Sequence, residues 1–227
     1  MATIVKVAAF IATIKLFEGS YNILQNKWQL VIAILIALTL IIGNITAVFQ
    51  QSVKRMLAYS SIAQAGFMLF ALFGMNTWGR EGIVLYAASY SLATIGLFAI
   101  LTKMEDYTFN GFNGFAKKEP LLALVATICL LSLAGIPLTA GFFSKYYMIA
   151  AGLATGGKYL WLMVVAMLCA AIGVYYYFKV IQAMYFKKGD ALMMPVSANF
   201  KYLMLLVAAL IVVLGVMPQL LLQYLYF

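Results

Sequence analysis

Long apolar runs separated by short polar stretches dominate the chain. Seven apolar segments can be read, at about 2–17, 28–49, 56–76, 82–102, 120–154, 159–186 and 201–224. Inside a lipid bilayer every backbone amide needs an internal partner, and segments of about 20 residues meet that need only as helices. The sequence therefore predicts an all-α fold, a polytopic transmembrane helical bundle that forms a single domain over residues 1–227.

The fifth apolar segment is too long for one straight membrane crossing. Its residues 120–154 would form a helix of about 52 Å, whereas the hydrocarbon core is about 30 Å thick. Gly135, Pro137 and Gly141 lie near its middle; proline removes a helical hydrogen bond, and glycine relaxes steric limits. We therefore expect a broken helix around Gly135–Gly141. Such breaks line cavities and recur at the ion sites of transporters.

Composition and charge agree with a membrane protein. Of the 227 residues, 66% are hydrophobic and 9% are charged, against about 25% charged in an average soluble domain. The net charge is +9, but basic residues stand singly or in pairs at segment ends, which indicates topology and not nucleic-acid binding. Nine lie on one side (loops 50–55, 103–119, 179–201) and four on the other (15–27, 77–81, 155–158 and the C-terminus). The first side is expected to be cytoplasmic, with the C-terminus on the outer face.

Two lysines lie within apolar segments. Lys145 follows the predicted break by a few residues, and Lys6 has apolar neighbours on both sides. A lysine at the bilayer centre costs about 2.5 to 3.5 kcal/mol on the insertion scale, so it is expected to face protein or a wet cavity and to serve transport. Lys6 could instead reach the interface from a helix end. Both lysines are candidate proton-transfer residues.

Four polar residues are candidate supports for these lysines. Ser61 and Gln64 are three residues apart on the third segment, and Ser144 and Tyr147 have the same spacing around Lys145. Residues three apart share a helix face, so their side chains and water could link the lysines. Each alone is more often a helix-packing residue.

Chemistry based on metals or nucleophilic triads is not indicated. The chain has no histidine, and Cys129 and Cys169 are far apart in apolar runs. The stretch 152–158 is close to a phosphate-binding loop, but Tyr159 replaces the Ser or Thr that binds magnesium, and no strand precedes it. No cofactor or metal is expected to bind this chain.

Three motifs resemble one known family. They are SVKRMLAYSSIAQAG at 52–66, LSLAGIPLTAGFFSK at 131–145 and YYYFKV at 175–180. Together they are similar to the antiporter-like membrane subunits of respiratory complex I, the NADH-quinone oxidoreductase, and most of all to its subunit N. The resemblance covers the whole chain, although the first motif is shared with Mrp-type cation/proton antiporters.

The resemblance implies a role in proton transport. It places the chain on helices eight to fourteen of a fourteen-helix subunit, so a longer parent is expected, and Lys6 and Lys145 fall on the family's proton-path lysines. Many relatives have histidine where Gln64 stands, and glutamine cannot titrate. NADH, FMN, iron–sulfur clusters and quinone are expected in partner subunits of a bacterial inner-membrane complex, the other membrane-arm subunits being direct partners.

Two alternatives remain open at this point. The first is a subunit of an Mrp-type monovalent cation/proton antiporter, which shares the fold and the lysines. The second is a structural membrane subunit without transport of its own, in which Lys145 pairs with a carboxylate of a neighbouring chain. Gene neighbours would separate the first alternative from complex I, and Lys145→Met would separate the second, because transport would persist.

Overall fold

Helices form nearly all of the described part of the chain. The computed structural model describes residues 4–20 and 25–225. It contains no β-strand in these residues, only two isolated bridges between loops. The helices are α1 (Ile4–Ser20), α2 (Gln25–Val48), α3 (Val53–Gly74), α4 (Thr77–Leu101), α5 (Phe115–Lys118), α6 (Pro120–Ala134), α7 (Ala140–Leu153), α8 (Leu160–Phe186), α9 (Ala198–Val216) and α10 (Gln219–Leu222). The predicted all-α fold is confirmed.

The outer faces of the bundle are apolar. Five helices of the described part, α2, α3, α4, α8 with its preceding turn, and α9, are long and apolar enough to cross a membrane. Large apolar side chains point away from the protein on three of them, with Leu30 52%, Leu168 62% and Leu203 56% exposed. A soluble protein rarely exposes so much contiguous apolar surface, whereas lipid covers it without cost. The bundle is therefore a polytopic membrane protein.

Helix α4 begins five residues before the apolar segment that predicts it. The predicted segment starts at residue 82, whereas α4 starts at Thr77, because Asn76 caps it: the Asn76 side-chain oxygen accepts a hydrogen bond of 3.0 Å from the Gly79 N–H. The Asn76 amide also donates to the Ala151 carbonyl (2.9 Å), which ties the start of α4 to the end of α7. The polar residues at 77–81, which hydropathy assigns to a loop, form the first turn of α4.

The two halves of the broken helix lie at the centre of the bundle. α7 packs most extensively against α4 and also contacts α3, while α6 packs between α4, α8 and α9. α2 lies against α3 and α8, and the described part of α1 contacts α3 and α4. A side chain on the inner face of α7 is therefore surrounded by protein on several sides.

Three loops meet at one end of the bundle. The Val53 N–H donates to the Tyr107 carbonyl (2.8 Å), and the Met194 N–H donates to the Lys103 carbonyl (2.8 Å). The Lys118 ammonium forms an ion pair of 3.3 Å with Asp190. We call this end, formed by loops 49–52, 102–119 and 187–197, the lysine-rich end. Lys27, which was counted on the second side, and the last three residues lie outside the described side chains.

Candidate functional site

The break between α6 and α7 is built by glycine and proline. α6 ends at Ala134 and is capped by Gly135, whose φ of +84° is accessible at little cost only to glycine. The Gly135 N–H lies 2.9 Å from the Leu131 carbonyl, and the Ile136 N–H lies 3.0 Å from the same oxygen. These bonds close the last turn of α6, and Pro137 prevents the helix from continuing. The predicted break around Gly135–Gly141 is confirmed.

The first turn of α7 takes a hydrogen-bond partner from α6. A helix start leaves four backbone N–H groups without partners inside the helix. Here the Gly141 N–H donates to the Ser132 hydroxyl oxygen at 3.2 Å, and Ser132 is only 2% exposed. Ser132 therefore joins the two half-helices through a buried hydrogen bond.

Lys145 caps the other half-helix in return. Its ammonium donates to the carbonyl oxygens of Leu133 and Ala134, both at 2.8 Å, which are the last carbonyls of α6. The C-terminal end of a helix carries partial negative charge, so these dipoles stabilise a cation. The Lys145 nitrogen also lies 5.1 Å from the centre of the Phe67 ring. No carboxylate pairs with Lys145 anywhere in the part of the chain that the structure describes.

Gln64 also donates a hydrogen bond to the Leu133 carbonyl. Its amide nitrogen donates to the Leu133 oxygen (3.0 Å) and to the Tyr177 hydroxyl (3.1 Å), while its amide oxygen accepts from the Tyr86 hydroxyl. The Leu133 oxygen thus accepts from Lys145 and Gln64 together. Gln64, which cannot titrate, links α3 to α4, α6 and α8.

A small polar cavity lies beside Lys145. Its volume of about 10 Å³ is enough for about one water molecule. Six of the nine lining residues carry a hydroxyl or an amide, and the hydroxyls of Ser144 and Ser89 are hydrogen-bonded to each other at 2.8 Å. A water there would find several hydrogen-bond partners and the lysine at once. The lining residues are Gln64, Tyr86, Ser89, Tyr90, Ser132, Leu133, Gly141, Ser144 and Lys145.

Lys6 lies on the far side of Tyr90. The Lys6 ammonium donates to the Ser61 carbonyl (2.6 Å) and lies 5.5 Å from the centre of the Tyr90 ring. Tyr90 lines the polar cavity and also a second cavity of about 10 Å³ that Thr94 shares. The buried Tyr90 hydroxyl lies close to the Thr94 and Ser61 side chains, but neither it nor the Thr94 hydroxyl makes a hydrogen bond of good geometry within the described residues. Buried hydroxyls of this kind are normally satisfied by water, which suits a wet connection between the lysines.

The structure separates the predicted supporting residues. Gln64 and Ser144 line the cavity with Lys145, whereas Ser61 meets Lys6 through its backbone carbonyl and turns its own hydroxyl to the Ala58 carbonyl (2.7 Å). Tyr147 faces away: its ring packs against Trp78 at 5.3 Å and it lines a different groove. Tyr147 therefore does not join Lys145, because successive side chains of α7 point in different directions.

Three buried residues around Gln64 and the helix break were not identified from the sequence. Tyr86, Tyr177 and Ser132 are buried and touch Gln64 or the helix break. One signal was present, because tyrosines in membrane helices concentrate near the lipid headgroups, whereas Tyr86 and Tyr177 lie well inside their helices. A tyrosine at that depth needs a partner for its hydroxyl, and Gln64 supplies it.

Metal ligands do not cluster in the described part of the chain. No group of three His, Cys, Asp or Glu side chains there could hold an ion. Cys129 and Cys169 are both buried and free. What the arrangement offers chemically is an amine capped by helix dipoles next to a water-sized cavity.

Relatives and solved structures agree on the type of protein. The chain is 41% identical over 94% of its length to the NADH-quinone oxidoreductase subunit N of Bdellovibrio bacteriovorus, of which it covers 46%. It matches a chain of the respiratory complex I of Thermus thermophilus, solved with bound aureothin, with a TM-score of 0.78 and 32% identity, over 85% of this chain and 44% of that one. The chain spans about half the length of the relatives it matches.

A more distant structure shows the same fold. The Mrp complex of Dietzia sp. contains a chain with a TM-score of 0.80 and 20% identity, over 95% of this chain and 49% of that one. At that identity the match shows the fold alone. The family model described as NADH:quinone oxidoreductase/Mrp antiporter, transmembrane, matches residues 1–173. With 41% identity to a subunit N and a family match over most of its length, the chain belongs to the NADH:quinone oxidoreductase/Mrp antiporter transmembrane family.

Proposed function

We propose that this chain is the proton-translocating portion of a membrane subunit of NADH-quinone oxidoreductase. The observation that carries the proposal is Lys145, whose ammonium is held by two carbonyls of the broken helix beside a water-sized polar cavity. A buried lysine without a carboxylate partner can give up its proton without leaving an unpaired acid behind. The subunit N relatives support the choice of complex.

The redox chemistry belongs to other subunits in this proposal. Electrons pass from NADH to quinone through FMN and iron–sulfur clusters in partner subunits, and this chain converts the released energy into proton export. Its direct partners are other membrane-arm subunits. The alternative of an Mrp-type antiporter has weaker support, because the Mrp structure resembles this chain only in fold.

Lys145 takes the central role in the transfer. The ammonium has three N–H donors, of which the carbonyls of Leu133 and Ala134 use two, so the third is free to donate to a cavity water. From that water, Tyr90 leads toward Lys6. Gln64 holds the Leu133 carbonyl and the surrounding tyrosines in place without exchanging a proton itself.

The orientation of the subunit follows from its charges. The lysine-rich end is proposed to face the cytoplasm of a bacterial inner membrane, because positive residues are retained on that side. The C-terminus then lies on the outer face. Cysteine labelling of Lys117→Cys in intact and permeabilised cells tests this, since Lys117 is exposed at the lysine-rich end.

The test of function is a chromosomal substitution at Lys145. The chromosomal gene is used so that the residue acts in whatever length of subunit the cell makes. NADH is added to inverted membrane vesicles. Proton uptake is measured as the quenching of a pH-sensitive dye, and NADH consumption is measured in parallel. Lys145→Ala is expected to reduce proton uptake at least about tenfold, because the only buried cation beside the described cavity is removed.

Two further variants make the result specific. Lys145→Arg keeps the charge but cannot release a proton, so it is expected to fail as Lys145→Ala does. Lys117→Ala, a change at an exposed lysine, is expected to pump normally. Normal proton uptake per NADH in Lys145→Ala, with the subunit present in the membrane, would overturn the proposal.

A further inference from the structure

The outer face of α8 carries a groove that is separate from the Lys145 cavity. A groove of about 630 Å³ follows the C-terminal half of this helix. Its wall includes Tyr175, Phe178, Gln182 and Phe186, which are spaced by three or four residues and therefore share one helix face. Tyr175 is 61% exposed, Phe178 46% and Phe186 81%. No element of the described chain covers this face.

Two lysines line the same groove. Lys179 and Lys187 both belong to its wall, and the Lys179 ammonium lies 4.4 Å from the centre of the Phe109 ring. The acids nearest along the chain are already engaged, since Asp190 pairs with Lys118 and Glu119 pairs with Lys201. Neither Lys179 nor Lys187 has an ion pair within the described residues. The groove thus combines apolar walls with positive charge that lacks an anion.

The depth of the groove matches the boundary of the membrane. Lys187 immediately follows α8 at the lysine-rich end, and Lys179 lies about 12 Å deeper along the axis at 1.5 Å per residue. Lysine side chains bury their stems and extend their charged ends toward water, and the Lys179 ammonium accordingly reaches Phe109 in a loop of the lysine-rich end. Tyr185, which is 41% exposed, lies close to Lys187 along the chain, and exposed tyrosine is typical of the layer between headgroups and acyl chains.

We propose that this groove binds an anionic phospholipid. Its phosphate lies between Lys179 and Lys187, Gln182 donates a further hydrogen bond, and one acyl chain packs along Tyr175 and Phe178. A zwitterionic lipid presents an extra positive group to the lysines, so anionic headgroups are preferred. Free inorganic phosphate is a poor occupant, because it cannot cover the aromatic wall. The site is separate from the proton path and does not depend on the proposed function.

The first experiment counts bound lipids on the full chain. The protein is placed in nanodiscs of phosphatidylcholine with a minor share of phosphatidylglycerol, and the retained lipids are counted by native mass spectrometry. The double variant Lys179→Gln and Lys187→Gln is compared with the control Lys54→Gln and Lys117→Gln. The control lysines are exposed at the same end, and Lys54 lies against an aromatic ring as Lys179 does (4.9 Å to Tyr107).

Phosphatidylglycerol is expected to be lost from the groove variant and retained by the control variant. Removing two surface lysines is expected to weaken retention of phosphatidylglycerol roughly tenfold or more, while the control pair and the retention of phosphatidylcholine change little. Equal loss in both double variants would mean that general attraction, and not this groove, holds the lipid. That result, or no loss at the groove, overturns the proposal.

A second experiment identifies the occupant in native membranes. A photoreactive p-benzoylphenylalanine replaces Phe178, whose exposed ring faces the groove, and the cells are illuminated. A mass increase equal to one phospholipid supports the proposal. Cross-linking to a neighbouring subunit, with no lipid adduct, would show that protein covers the groove and would overturn it.

Discussion

Two kinds of partner stabilise the positive charge of lysines in this chain. At the lysine-rich end, Lys118 and Lys201 pair with the carboxylates of Asp190 and Glu119. In the core, Lys145 has no acid and is held by the last two carbonyls of α6. A carboxylate partner favours a lysine that stays charged, whereas neutral dipoles stabilise the cation less and leave the amine form accessible. The comparison indicates that the backbone break, and not an ion pair, holds Lys145 in place.

The largest expected effect comes from removing the special backbone at the break. Gly135→Ala forces a side chain into a residue with φ of +84° and places a Cβ 2.8 Å from the Lys145 side chain. The free energy of unfolding is expected to fall by about 2 kcal/mol, and Lys145 to move off its carbonyls. Thermal unfolding in detergent measures the loss of stability. A thiol-reactive dye follows the unfolding, because it reacts with the buried Cys129 and Cys169 once they become exposed.

A glycine outside the site provides the matched control for this change. Gly157 has open space where a Cβ would be added, so Gly157→Ala is expected to leave the unfolding temperature unchanged. If the two alanine variants unfolded at the same temperature, the break would not constrain the lysine. The contrast between the core and the loops would then lose its structural basis.

A smaller effect is expected from the bond that joins the half-helices. Ser132→Ala removes the acceptor of the buried Gly141 N–H and is expected to cost about 1 kcal/mol of stability. The comparison variant is Thr39→Ala. It removes a hydroxyl that donates to the Leu35 carbonyl within the same helix. The same thiol-dye assay measures both. A larger loss for Thr39→Ala than for Ser132→Ala would contradict the role assigned to Ser132.

The smallest effect is expected at the lysine-rich end. The Lys201–Glu119 pair is 2.7 Å long and its side chains are 31% and 22% exposed. A double-mutant cycle with Lys201→Met and Glu119→Gln is expected to give a coupling energy of about 0.5 kcal/mol, as for other partly exposed pairs. Proton uptake in Lys201→Met is expected to remain normal. A loss as severe as in Lys145→Ala would remove the distinction between the two kinds of lysine.

Much of the fold could be predicted from hydropathy and chain geometry. The length of the 120–154 segment and the cluster of Gly135, Pro137 and Gly141 gave the break, because a membrane has a fixed thickness and helices a fixed rise. The start of α4 was harder to predict. Asn76 caps a helix whose first turn is polar, and hydropathy alone does not separate such a turn from a loop.

The site was only partly predictable. Lys145 and Gln64 were identified because polar residues in apolar segments are few, and both line the cavity. The spacing groups Tyr147 with Ser144, yet Tyr147 packs against Trp78, because residues three apart still differ by about 60° around the helix axis. That Lys145 would bind backbone carbonyls of α6 could not be predicted, because it depends on how the two half-helices are placed in three dimensions.

The carbonyl cap on Lys145 has a consequence for the conditions under which the site operates. Dissolved ions screen charges at the surface over about 8 Å at physiological ionic strength, but they reach buried groups poorly. The exposed pair of Lys118 and Asp190 therefore weakens as salt increases, whereas the dipoles that hold Lys145 belong to the backbone and stay the same. An organism whose surroundings change in salinity would keep this lysine equally well positioned in dilute and in concentrated media.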